Sequence, residues 1–192
     1  MESSSKSSLV KGMGRMPFPA YRGSEPYMFI SYAHVDAERV FKEIKDFNEH
    51  GYNVWYDEGI APGNEWTDEI ADALEKSALF VVFVTPSSAA SPNVLNEINF
   101  AIGDRKPFIA IHLEETELRA GLKLQIGSKQ AILKHRMTDE EYVHKYTSAF
   151  ERLGLVARRE AIPASPGTVN PSAPTALGGF RIEHGLLKEY LG

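Results

Sequence analysis

The chain contains no cysteine, which excludes disulfides, thiolate nucleophiles and cysteine-ligated zinc together. The absence suits a reducing compartment, and the cytoplasm is the expected location. Long apolar runs are also missing. The longest, Ala78 to Val84, falls far short of the roughly 20 residues that span a bilayer as a helix, so no membrane partner is expected. Met1-Glu2-Ser3-Ser4-Ser5-Lys6 lacks the apolar centre of a secretory signal, and Glu2 stands where myristoylation requires glycine. Basic residues are in deficit: 21 Lys and Arg against 26 Asp and Glu leave a net charge of -5. That balance offers no electrostatic basis for binding nucleic acid or an anionic membrane. None of the six histidines forms an H-E-x-x-H pair, and no metal site is expected. Neither a P-loop lysine nor a G-x-S-x-G elbow occurs. Gly12-Met13-Gly14, the one fragment of a nucleotide loop, follows no strand and is set aside.

What is present centres on one stretch. Phe80-Val81-Val82-Phe83-Val84, ended by Thr85-Pro86, is a continuous β-branched and aromatic run; a half-exposed strand would alternate, so this one is buried on both faces. Ser91-Pro92 then opens a helix, with serine as N-cap and proline where its missing N–H costs nothing. On that helix Val94, Leu95, Ile98, Ala101 and Ile102 share a face, and Glu97 stands about a quarter turn from its middle. The carboxylate is thereby placed at the rim of the buried face, above the mouth of the central strand. In open parallel α/β sheets ligands bind at that mouth.

The remaining elements alternate in type. Tyr27 to Ser31 reads as the first strand. Asp36 reads as the cap of a helix with Val40, Phe41, Ile44 and Phe47 inward and Gly51 at its end. Asn53 to Asp57 is the second strand, the loop Glu58 to Asn64 follows, and Trp66, Ile70, Ala73 and Leu74 face one way on the next helix. Pro107 to His112 is a fourth strand, Leu118 to Ile126 an amphipathic piece, Gln130 to Leu133 a fifth strand, and Thr138 to Leu153 a last helix. Strand-helix alternation implies right-handed crossovers, hence an α/β flavodoxin-like three-layer sandwich on a five-stranded parallel sheet. Residues 1–24, rich in Ser, Gly and Pro, read as a flexible leader, and 25–155 as the domain. Pro163, Pro166, Pro171 and Pro174 among Ala and Ser mark 156–176 as a linker, and 177–192 as a short C-terminal helical segment.

Three pieces in order, Phe29-Ile30-Ser31-Tyr32-Ala33-His34, Trp55-Tyr56-Asp57 with Gly59 to Gly63 and Trp66, and Asn93 to Glu97, resemble the bacterial type of Toll/interleukin-1 receptor (TIR) domain over residues 26 to 154. The resemblance implies an enzyme, an NAD+ glycohydrolase of the nucleosidase or ADP-ribosyl cyclase type. Such enzymes release nicotinamide with ADP-ribose or a cyclic isomer, using NAD+ as substrate and no further cofactor. It implies Glu97 as the catalytic residue. It also implies substrate contacts from Ser31, Tyr32, Ala33, His34 and Val35 after the first strand, from Ile60 and Pro62 after the second, and from Trp66 and Asn93. Asn93 stands where many catalytic members carry tryptophan. Self-association through TIR–TIR contacts is implied too, as is a role as a defence or signalling effector. A module that only binds other TIR domains is the alternative.

The chemistry suits a single carboxylate. Nicotinamide departs from a cationic ring as a neutral molecule and needs little help from an acid, so the difficulty lies in an oxocarbenium-like ribose. An ionised carboxylate beside that ring stabilises its developing charge and fixes its hydroxyls.

Overall fold

A computed structural model describes residues 16–58, 68–127 and 129–158. Residues 159–176 of the linker and the C-terminal segment lie outside the described residues. Five strands form one parallel sheet in the order β2-β1-β3-β4-β5: β1 is Met28–Ser31, β2 Val54–Tyr56, β3 Leu79–Val84, β4 Phe108–His112 and β5 Gln130–Ile132. Around them run α1 (Ala37–Glu49), α2 (Asp68–Lys76), α3 (Pro86–Ala90), α4 (Pro92–Gly103), α5 (Ala120–Ile126) and α6 (Asp139–Arg152). The chain moves one way from β1 to β2 and the other way from β3 to β5. With right-handed crossovers, that reversal puts α1 and α6 on one face and α2, α4 and α5 on the other.

Each strand's pleat supplies both faces. Phe83 stacks on Phe47 of α1, and Phe47 meets the Tyr146 and Phe150 rings of α6 at 4.7 and 5.2 Å. On the opposite face Trp55, Phe29, Phe80 and Phe108 form a row across β2, β1, β3 and β4, with ring centroids 4.8, 5.9 and 5.0 Å apart. Every residue of β1, β2 and β3 is buried, as expected of strands covered on both sides. Phe47 and Phe80 are wholly buried, and truncating such a ring to alanine costs about 3–5 kcal/mol.

Three expectations are corrected. Asp36 sits at the N-cap position of α1, yet its side chain makes no capping bond; its carboxylate instead accepts from Thr85 Oγ1 at 2.6 Å. Thr85-Pro86 does not simply end β3. Thr85 opens the short helix α3 with a reciprocal capping box to Ser88, a signal that the serine-rich sequence obscured. Residues 16–24, expected to belong to a flexible leader, lie along β2: Tyr21 N–H donates to Val54 O at 2.9 Å, Tyr56 Oη donates to Phe18 O, and Ala20 is buried. Gly51 ends the first helical stretch at φ +86°, and a Cβ there would meet Arg158 O at 2.8 Å, so only glycine fits.

Candidate active site

In a parallel sheet all strands open at the same end, so the residues after β1, β2 and β3 share one rim. The pleat then selects which of them face α4. Ser31 follows Phe29 by two residues and Asp57 follows Trp55 by two, and both aromatics belong to the row on the α4 side. Ser31 and Asp57 therefore lean toward α4. The register carries Ile30 beside Tyr56, and Tyr56 packs on Phe41 of α1, so Asp57 and Tyr56 diverge to opposite faces.

Glu97 lies on α4 beside the buried Val94 and Ile98 and is half-buried. Part of its surface remains accessible, yet the carboxylate sits low against the sheet. Loss of water around it pushes its pKa up to about 7. The Ser31 hydroxyl pulls the value down, the Asp57 charge raises it, and His34 lowers it. Ser31 Oγ is buried and completes no well-formed hydrogen bond among the described residues, although it is near enough to Glu97 to favour its ionised form. The hydroxyl is thus free to orient toward Glu97.

His34 opens the single 3₁₀ turn His34–Asp36 after β1, and its Nε2 stands 3.1 Å from Asp57 Oδ2. That bond raises the imidazole pKa; burial opposes the rise, and the Asp57 and Glu97 charges add to it. Tyr32, buried between them, donates its hydroxyl to Asp57 O at 2.9 Å and lies 5.6 Å from the His34 ring. Its own pKa is raised, first by burial and then by Asp57, Tyr56 and Glu97. Ser31, His34, Asp57 and Glu97 thus come from two strand ends and one helix to form a single electrostatic unit.

The other expected site residues fall in different places. Ala33 is buried, Val35 is 81% exposed at the rim, and Asn93 is exposed in the first turn of α4. Ile60, Pro62 and Trp66 lie outside the described residues. A cavity of about 210 Å³ opens beside β2 between Arg22, Trp55, Asp57, Glu58 and Glu69. Glu97 does not line it, and Asp57 is the wall it shares with the crevice. Asp57 is the residue that sequence reasoning left unassigned. Its signal was its position, immediately after a strand neighbouring β1 in a parallel sheet. At the helix end of the rim, Ser91 Oγ accepts from Val94 N at 3.5 Å and Ser91 O from Leu95 N at 3.0 Å; Pro92 has no N–H, which leaves the Asn93 N–H as the first-turn donor of α4 without an intrahelical acceptor.

Comparison with known proteins agrees with this architecture. A family model described as TIR domain matches residues 28–153. The crystal structure of the TIR domain of the Toll-related receptor TRR-2 from the lower metazoan Hydra magnipapillata superposes with a TM-score of 0.50 at 19% identity, covering 66% of this chain and 96% of that one. At that identity the likeness speaks for the fold. No curated protein matches.

Proposed function

This chain belongs to the TIR domain family, and from that premise we propose that it is an NAD+ glycohydrolase with Glu97 as its catalytic residue. The observation that carries the reading is the half-buried Glu97 carboxylate at the strand mouths, sharing charge with His34 and Asp57. Burying carboxylates costs free energy unless they are paired or used. A surface that only bound other TIR domains would gain nothing from that cost.

In this reading the nicotinamide riboside half of NAD+ enters above β1, and the cationic pyridinium is drawn by Glu97 and Asp57. Glu97, ionised above about pH 7, lies beside the ribose as its C1′–N bond lengthens, and its charge favours the oxocarbenium-like state. Ser31 donates to a carboxylate oxygen or to a ribose hydroxyl. The diphosphate meets the N-terminus of α4, where N–H groups and the helix dipole favour anions. The family resemblance further implies substrate contacts from Ile60, Pro62 and Trp66, the last as a stacking partner for a base, and Asn93 borders the entrance. The products are nicotinamide and ADP-ribose or a cyclic isomer. We read the chain as a cytoplasmic effector of the bacterial type in defence or signalling, activated by TIR–TIR self-association.

The test is chromatographic. Concentrated protein is incubated with NAD+ and the nicotinamide released is measured for the parent and for Glu97→Gln. A parent that turns over and a variant reduced by about 100-fold or more support the reading. Equal rates, or no turnover by the parent even when assembled, sink it and leave the interaction module.

A further inference from the structure

We propose that His34, held by Asp57, is the general base that accepts the proton of the nucleophile that replaces nicotinamide. This rests on the NAD+ cleavage reading and gives His34 and Asp57 a part in proton transfer that the reading does not assign.

Proton bookkeeping shows why a base is needed. When the C1′–N bond breaks, its electron pair moves onto the pyridinium and nicotinamide leaves neutral. It therefore has no need of the proton that the incoming water must shed. The water oxygen forms the new bond to C1′, and one of its protons must go elsewhere: NAD+ and water become nicotinamide, ADP-ribose and a proton. If Glu97 took that proton, it would lose its charge beside a ribose that still carries positive character. A separate acceptor next to Glu97 avoids this conflict.

His34 meets the geometric requirements. An ionised carboxylate can only accept, so Asp57 Oδ2 at 3.1 Å receives Nε2–H and fixes the tautomer that leaves the lone pair on Nδ1. Nδ1 makes no hydrogen bond among the described residues. The side chain is 38% exposed, open to water and to a second nucleophile. Glu97 and His34 are close enough to feel each other's charge. The imidazolium formed by proton transfer is stabilised by Asp57 on one side and Glu97 on the other, then discharges to solvent.

Two reactions of one intermediate separate this role from packing. Hydrolysis releases a proton. Exchange of labelled free nicotinamide into NAD+ does not, because the attacking ring nitrogen carries none. Both are measured at one fixed pH for the parent, His34→Gln and Asp57→Asn. The expected result is that hydrolysis falls further than exchange, raising the exchange-to-hydrolysis ratio by about ten-fold or more in His34→Gln, with a smaller rise in Asp57→Asn. A ratio that stays constant, whether both rates hold or both fall together, overturns the assignment and makes His34 a structural residue. A parent that performs neither reaction refutes NAD+ cleavage itself, a different failure.

Discussion

Replacing Glu97 with glutamine should make the protein more stable, and only at neutral and alkaline pH. An ordinary glutamate titrates near 4.5, and in the folded chain Glu97 is pushed up to about 7, chiefly by burial. The unfolded state therefore binds fewer protons than the native state between these values, and stability falls as pH rises through that window. Below pH 4.5 both states are protonated and nothing is lost; above about pH 7 the loss is complete. The displacement corresponds to about 3 kcal/mol, and partial access to solvent reduces it toward about 2 kcal/mol. Glutamine keeps the shape and removes the charge, so the variant should gain nothing near pH 4.5 and about 2–3 kcal/mol at pH 8, a rise in Tm of roughly 10 °C. Part of His34's raised pKa comes from Glu97. Well below pH 7 Glu97 is neutral and has no charge to lend His34, so loss of this pairing adds nothing at low pH. Urea unfolding of both proteins at several pH values between 4.5 and 8 reads the difference. A gain that does not change with pH, or a variant less stable at pH 8, refutes a strained, charged carboxylate at this position. The expected pairing of higher stability with lost NAD+ cleavage is the trade made at sites that hold charge away from water.

Other consequences are simpler to check. Ser31→Ala removes the hydroxyl that holds the Glu97 pKa down, so the acid limb of the pH–rate profile should move to higher pH while the folded structure persists. An unmoved limb would separate Ser31 from Glu97. Thr85→Val deletes the hydroxyl bonded to the buried Asp36 and breaks the α3 capping box. Chemical denaturation should show a loss of about 2–4 kcal/mol, most of it from a buried carboxylate left with the Arg39 guanidinium 3.9 Å away.

Several features of this protein follow from its sequence alone. The unbroken apolar run of β3, the period of Val40, Phe41, Ile44 and Phe47 on α1, and the Ser91-Pro92 start of α4 are local signals, because periodicity and caps depend on near neighbours. They place Glu97 at the rim of a helix face. Asp36 looked like a cap for the same local reason, and its true partner lies 49 residues away. Short helix α3 was hidden because serine and alanine beside a proline suit a loop equally well.

Only the tertiary structure decided what the rim could be. Asp57 is an unremarkable acid after a strand until parallel register and pleat turn it to the α4 side, within 3.1 Å of His34. Glu97 would titrate as an ordinary glutamate on an isolated helix. Its altered proton affinity arises because the sheet excludes water from it and brings a second carboxylate near. Charge and periodicity are written along the chain, whereas desolvation and the meeting of distant strand ends exist only after folding, since both depend on distances that the sequence does not contain.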